Sequence, residues 1–193
     1  DIVINVHRFS SSGLITFLSG AKEKIGFDKN PFSFCYTTKF KHEIKSGTHE
    51  IDRNHNLISH ITDKEVAKPR LYPQKSDYDF VKTYQNQPYF CIAPSSVWFT
   101  KQWPKHKWVE LINIFSENRK IYLLGSHKDW MVCEEIIKSS KHPNIINLSG
   151  KLSVLQSAAL MQGANMNFVN DSGPLHIASA MNAPVRAIFC STI

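Results

Sequence analysis

The stretch that decides the fold is FVNDSGPLHIASA, residues 168–180. It ends an apolar run, Met166–Val169, that is typical of a buried strand, and it passes through Asn-Asp-Ser-Gly, which favours a turn. Ser172 is then placed to cap a helix, and Pro174 stands in the first turn, where a missing N–H is tolerated. Free backbone N–H groups at such a helix start attract anions. His176 can face the same side, although an ordinary turn with a structural histidine fits the spacing equally well.

Strand and helix patterns alternate through the second half of the chain. A helical pattern separates each pair of the apolar runs, and this alternation predicts βαβ units, a parallel sheet and helices on both faces. Ligands in such sheets bind beyond the carboxyl ends of the strands, where the strand order reverses. The runs are Tyr89–Ala93, Ile121–Leu124, Ile145–Leu148, Met166–Val169 and Val185–Phe189.

The first half also alternates, with weaker patterns. Residues 64–77 contain Pro69 and Pro73 and are typical of a connector. We therefore predict two domains, residues 1–85 and 86–193. Because the chain starts and ends beside strand-like runs, we expect a fold that is cut at both ends. The runs of the first half are strand-like Ile2–Val6, Lys24–Phe27 and Phe32–Thr37 and helical Ser11–Ala21, Thr48–Ile61 and Tyr78–Gln85.

The composition is that of a globular protein, with 42% hydrophobic and 20% charged residues among 193. The formal charge of +7 is spread along the chain: residues 1–85 carry 13 Lys/Arg against 10 Asp/Glu, and residues 86–193 carry 10 against 6. Without a basic block, this excess argues against nucleic-acid binding. It favours anionic ligands or a membrane surface, although such an excess often serves solubility alone.

The four cysteines are far apart and form no C-x-x-C pair, which indicates free thiols in a reducing compartment. No apolar run approaches 18 residues and no signal peptide is visible. We therefore expect a cytoplasmic location, with contact at the cytoplasmic face of the inner membrane as a further expectation.

Two more loops follow predicted strands and point polar groups to the same rim. After the first strand of the second half come Ser95 and Ser96, which offer hydroxyl donors, and Lys101, a point charge suited to phosphate. After the next strand, Asp129 can accept hydrogen bonds from a ribose. The alternatives are a solvated surface lysine and a carboxylate that caps a helix.

Several common motifs are missing. No G-x-G-x-x-G follows Ile2–Val6 or Tyr89–Ala93, so a dinucleotide fold of the usual type is not indicated. The Gly150–Ser153 stretch lacks the first glycine of a P-loop and has Leu152 where that motif needs Ser or Thr. The histidines of the first half contain no H-E-x-x-H pair, so a zinc site is weakly supported, and we expect no metal and no cofactor.

The loops, in this order, resemble the lipopolysaccharide heptosyltransferases, glycosyltransferase family nine. The match covers nearly the whole chain and is most specific after about residue 88. The matching stretches are Asp1–His7, Lys24–Phe27, His49–Arg53, Ala93–Ser96, Lys101–Pro104, Trp108–Leu111, Leu123–Gly125 with Asp129, Asn147–Lys151 and Asn170–His176.

The resemblance implies a GT-B fold, in which two Rossmann-like domains with parallel sheets face each other, and transfer of a heptose from ADP-heptose to a lipid A–core acceptor. The reaction would invert the anomeric carbon without a metal. Lys101 would stabilise the leaving diphosphate. The donor site would comprise Ser95, Ser96, Lys101, Asp129, Asp171, Ser172, Gly173 and His176, and the acceptor side His7, Arg8, His49 and Arg53.

The chain departs from the family pattern in two places. The family's general base is an aspartate in a glycine-rich loop, and we expect it upstream of residue 1, so this stretch alone is expected to be inactive. Gly125-Ser126-His127 replaces the usual Gly-Gly-Pro turn beside Asp129. The alternatives are transfer of another nucleotide-activated sugar by the same fold and a nucleotide-sugar binding protein without catalysis.

Overall fold

The computed structural model describes residues 1–43, 47–63 and 65–190. The chain divides into two compact units, Asp1–Lys68 and Pro69–Ile193. The sequence predicts a boundary after residue 85, but the helix Lys75–Val81 belongs to the second unit. Its Val81 is fully buried in the core of that unit, and Tyr78 Oη donates to Gln162 Oε1 at 2.8 Å. Packing of this apolar helix face therefore sets the boundary, rather than the proline-rich connector.

The first unit contains a three-stranded parallel sheet in the order β1-β2-β3. The structure differs from two of the sequence predictions. The run Phe32–Thr37 forms a 3₁₀ turn at Ser33–Cys35 that precedes the strand, and the helix expected from Thr48 is capped by His49, whose Nδ1 accepts from the Ile51 N–H. The elements are β1 (Ile2–Asn5), α1 (Ser10–Leu18), β2 (Glu23–Phe27), β3 (Thr38–Phe40) and α2 (Glu50–Asn56).

The second unit contains a five-stranded parallel sheet in the order β6-β5-β4-β7-β8. The predicted alternation of strands and helices is confirmed, and each predicted end of an element lies within four residues of the observed end. The elements are α3 (Lys75–Val81), β4 (Tyr89–Ala93), α4 (Lys105–Asn113), β5 (Lys120–Leu123), α5 (Trp130–Ser139), β6 (Ile145–Asn147), α6 (Val154–Gly163), β7 (Met166–Asn170), α7 (Gly173–Ala180) and β8 (Val185–Ile188).

Both faces of this sheet are covered. Tyr89 and Cys91 of β4 point into one core with α3, α6 and α7, and Ile92 points into the other with α4 and α5. Alternate residues of a strand face opposite sides, so a strand that is buried on both sides reads as a continuous apolar run. This is the pattern that the sequence shows at 89–93.

The strand order reverses at β4. From β4 the chain proceeds through β5 and β6 to one edge, and it then returns to β7 and β8 on the other side of β4. The loops after β4 and β7 thus leave neighbouring strands in opposite directions and open a crevice between them. Within the described residues, no helix is long and apolar enough to cross a membrane.

Candidate functional site

Lys101 and Asp171 meet at this crevice. A 3₁₀ turn, Phe99–Lys101, ends the exposed part of the loop after β4, and Asp171 directly follows β7. Lys101 Nζ lies 2.6 Å from Asp171 Oδ2, and the two side chains are 28% and 18% exposed. The structure therefore brings together two residues that we predicted from separate loops, in a short ion pair that is partly shielded from water.

The two serines that follow β4 lie in the same loop. Ser95 Oγ is buried and has no hydrogen-bond partner among the described residues. The Ser96 carbonyl accepts from Gln102 Nε2 at 2.6 Å. A hydroxyl that is buried without a partner is costly, so Ser95 is ready to donate to a ligand oxygen.

Helix α7 starts in an open position. Ser172 is its N-cap residue, as predicted, but its hydroxyl makes no capping bond and instead donates to the Asn170 carbonyl at 3.4 Å. A Cβ on Gly173 would meet no atom within 4 Å. His176 is exposed and makes no hydrogen bond to a described residue. The first turn of α7 therefore leaves room for an anion beside the Gly173 N–H, whereas Pro174 has no N–H and the Leu175 N–H donates to the Ser172 carbonyl at 3.0 Å.

The Asp129 carboxylate is hydrogen-bonded within its own segment of the chain. Its Oδ2 accepts from both the N–H and the hydroxyl of Ser126 at 2.7 Å, which forms a capping box before α5. A Cβ on Gly125 would lie 2.8 Å from the Asp129 Cβ, so the carboxylate sits tightly against the end of β5. This is the capping alternative that we weighed, and contact with a ribose stays a prediction.

The candidate acceptor residues occupy two places in the first unit. His7 and Arg8 follow β1, where the buried Asn30 holds the loop by donating from Nδ2 to the carbonyls of His7 and Phe9 at 2.9 and 3.1 Å. The Asn5 side chain accepts from the His7 N–H at 2.9 Å. Buried amides therefore fix the backbone here and leave His7 and Arg8 exposed.

Arg53 is the buried member of the acceptor set. Its guanidinium pairs with Glu50 and donates from Nη1 to the Glu43 carbonyl at 3.1 Å, while Nε is buried without a partner among the described residues. Arg53 lines a cavity of about 360 Å³ beside Phe40. The exposed His49 uses its ring to cap α2. Arg53 thus has a clear structural function, and acceptor contact stays a prediction for both residues.

Sequence reasoning missed two buried polar residues. Burial lowers the pKa of His42, and the nearby Arg53 and Arg8 lower it further. Asn170 is fully buried at the end of β7 and bonds to both ends of the loop after β4. In the sequence, Asn170 stands at the end of an apolar run and in the matching stretch Asn170–His176, but neither feature indicates its bonds to the loop after β4.

No ligating cluster is evident. In residues 1–43, 47–63 and 65–190, no group of three or more His, Cys, Asp and Glu side chains is arranged to hold a metal ion. Transfer without a metal or cofactor stays a prediction.

Solved structures confirm the predicted fold class. The chain resembles a glycosyltransferase of family 9 from Veillonella parvula, with a TM-score of 0.84, 20% identity and coverage of 97% of this chain and 56% of the other. It also resembles Escherichia coli heptosyltransferase WaaC in complex with ADP-2-deoxy-2-fluoro heptose, with a TM-score of 0.72, 20% identity and coverage of 100% and 62%. The α/β, GT-B type fold with parallel sheets is therefore confirmed.

Sequence comparison points the same way. The chain is 31% identical to lipooligosaccharide heptosyltransferase 2 of Haemophilus influenzae over 150 residues, which are 71% of this chain and 43% of the relative. It is 25% identical to lipopolysaccharide heptosyltransferase 3 of Escherichia coli over 205 aligned residues, or 100% of this chain and 60% of the relative. The chain thus spans about half the length of these relatives. The profile of glycosyltransferase family 9 (heptosyltransferase) matches residues 1–193, and the chain belongs to that family.

Proposed function

We propose that the protein transfers a heptose from ADP-heptose to a sugar of the lipopolysaccharide core, with inversion and without a metal or cofactor. The observation that carries the proposal is the Lys101–Asp171 pair at the reversal of strand order, in a chain whose full length matches a heptosyltransferase family. Relatives that carry the heptosyltransferase name, and a neighbouring structure with an ADP-heptose analogue, support this choice of donor.

The donor diphosphate would sit at the start of α7. Its oxygens need several donors, and the open first turn offers the Gly173 N–H and the positive end of the helix dipole. The unpartnered hydroxyl of Ser95 adds a donor from the loop after β4. His176, exposed in the same turn, would contact the phosphate or the sugar.

Lys101 would act on the leaving group. When the bond between the anomeric carbon and the diphosphate breaks, negative charge grows on the phosphate oxygen. A fixed ammonium stabilises that charge more in the transition state than in the ground state. Before the donor binds, Asp171 neutralises Lys101. On binding, the diphosphate would replace Asp171 as the partner of the lysine, and the carboxylate would accept from hydroxyls of the sugar.

The first unit would hold the acceptor. Arg8 is exposed beside the end of β1, and Arg53 and Lys41 line the cavity at the end of β3. The exposed Arg8 suits an acceptor that carries acidic groups, which would have to compete with Glu50 for Arg53 and with Glu43 for Lys41. The net charge of +7 would favour a cytoplasmic protein that approaches the anionic surface of the inner membrane where a lipid-linked acceptor lies.

The test is a transfer assay on the protein expressed from its complete reading frame, because residues 1–193 alone are expected to be inactive. ADP-heptose and a truncated core acceptor are mixed with and without EDTA, the product mass is measured, and the anomeric configuration is assigned by NMR. We expect one added heptose, inverted, with equal rates in EDTA. Transfer only from another nucleotide sugar would replace the proposed donor, and ADP binding without any transfer would favour a binding protein.

A further inference from the structure

The loop between β4 and α4 carries three predicted donor residues, and several of its hydrogen bonds join one part of the loop to another. The Lys101 N–H donates to the Trp98 carbonyl at 3.0 Å, and Gln102 Nε2 bonds to the Ser96 carbonyl. These bonds shape the loop without setting its place relative to β7. The tip is in solvent, and its exposed apolar residues are Val97, Trp98 and Phe99.

Asn170 joins both ends of this loop to β7. Its Nδ2 donates to the Pro94 carbonyl at 2.8 Å, and its Oδ1 accepts from the Trp103 N–H at 3.1 Å. Pro94 is the first residue after β4, and Trp103 packs edge-on against Trp108 in the core at 4.9 Å between ring centroids. One buried amide thus closes the base of the loop.

Asparagine suits this task chemically. Its short side chain carries a donor and an acceptor, and both are used here at zero solvent exposure. An apolar side chain of similar size would leave the Pro94 carbonyl and the Trp103 N–H without partners, which is unfavourable in a buried place. Asp171 comes next in the chain, so the residue that fixes the loop directly precedes the partner of Lys101.

We infer that Asn170 is a positioning residue for Lys101. It holds the base of the loop, so that the ammonium stays beside the start of α7 when the diphosphate replaces Asp171 as its partner. Without the Asn170 bonds, that exchange would release the loop from β7 at the step where a fixed charge matters. The inference rests on the proposed function.

The first experiment compares two asparagines of one strand. Asn167 is also fully buried in β7, and its Nδ2 donates to the carbonyls of Met161 and Pro184 at the opposite end of the strand. Asn170→Leu should lower kcat for heptose transfer by at least about tenfold, since a misplaced catalytic group is costly, with the acceptor KM nearly unchanged. Asn167→Leu should lower the Tm by a similar amount and keep kcat.

A milder variant and a double mutant complete the test. Asn170→Ser leaves space for a bridging water and should lose less kcat in the same direction, which keeps the test open if Asn170→Leu does not fold. If Asn170 acts through Lys101, Asn170→Leu should cost little further activity in a Lys101→Met background. Additive losses, or equal kcat for the Asn170 and Asn167 variants, would overturn the inference alone. A wild-type protein that transfers no heptose would overturn the proposed function as well.

Discussion

The two units bury their sheets to different degrees. In the second unit, two apolar cores cover the two faces of the five-stranded sheet. In the first unit, the buried core cluster contains only Ile25, Phe27 and Leu57 among the described residues, and α1 keeps Ile15 and Leu18 at 71% and 70% exposure. Among the described residues, the second unit therefore has the larger apolar core, and apolar burial is the main source of stability.

This difference in burial affects where catalytic side chains can be held in fixed positions. Catalytic geometry needs groups held to fractions of an ångström by packed neighbours. Lys101 and Asp171 stand on loops between strands that are buried on both sides. His7 and Arg8 instead follow β1, where buried amides fix the backbone but leave both side chains exposed. The comparison supports our proposal that places the leaving-group chemistry in the second unit, and the predictions below test it in order of expected effect.

The largest expected contrast is in thiol reactivity. Burial raises the pKa of Cys133, in the second unit, to about 11, whereas Cys35, in the first unit, is partly exposed. Only the thiolate reacts, so the raised pKa alone should slow alkylation of Cys133 at pH 8 by roughly 10²-fold relative to a thiol of ordinary pKa. Burial of the sulfur slows the reaction further. Iodoacetamide labelling followed by peptide mass spectrometry measures both rates. Equal rates would mean that the core of the second unit opens as readily as the surface of the first.

The next effect is on turnover. Lys101→Met should lower kcat by about 10²-fold or more, because a charge that stabilises the leaving group in the transition state is lost. Lys107→Met is a matched control, since Lys107 makes a surface pair with Glu110 on α4. Steady-state kinetics of heptose transfer separate the two. A loss confined to KM would make Lys101 a binding residue only.

A smaller effect is expected on nucleotide affinity. His176→Ala should weaken ADP binding by about tenfold, as for loss of one hydrogen bond to a charged group. His106, exposed on α4 of the same unit, provides the control variant. Calorimetric titration of ADP gives both values. Unchanged affinity for the His176 variant would remove the role that we give to this histidine.

The strands of the second unit could be predicted from the sequence more accurately than those of the first, for a physical reason. The inner strands of the second unit, β4, β5 and β7, are buried on both faces, so they stand out as apolar runs between helices. In the first unit, the half-exposed strand β3 gave a weaker pattern, and we placed its apolar run on residues that form a 3₁₀ turn.

In the candidate site, too, some features could be predicted from the sequence and others could not. Lys101 and Asp171 follow strand ends, and their meeting follows from parallel pairing of β4 with β7. The role of Asn170 depends on two backbone atoms 76 and 67 residues away, which no local pattern reports. For Asp129 the sequence allowed two functions, and only the bonds to Ser126 reveal the capping one.

The smallest expected effect is a pH dependence of the stability of the first unit. Burial, Arg53 and Arg8 lower the pKa of His42, and Asp28 opposes them. The unfolded chain therefore binds a proton more readily than the folded unit. The stability that neutral His42 contributes is present above the ordinary histidine pKa of about 6.5 and is lost as the pH falls below it. One linked proton changes the unfolding equilibrium by at most about tenfold per pH unit.

Two optical signals can isolate this effect. All four tryptophans, residues 98, 103, 108 and 130, lie in the second unit, so their fluorescence reports that unit, whereas far-UV circular dichroism reports both. In urea, we expect dichroism to be lost before the fluorescence changes, and this early phase should move to lower urea at pH 5.5 than at pH 7.5.

His42→Phe keeps the edge-on contact with Phe27 but cannot titrate, so it should remove most of that shift, and His106→Gln should retain it. An early phase that moves equally in the His42 variant would place the pH dependence elsewhere. Coincident transitions would contradict the difference in burial between the two sheets, because the unit with the smaller core should unfold first.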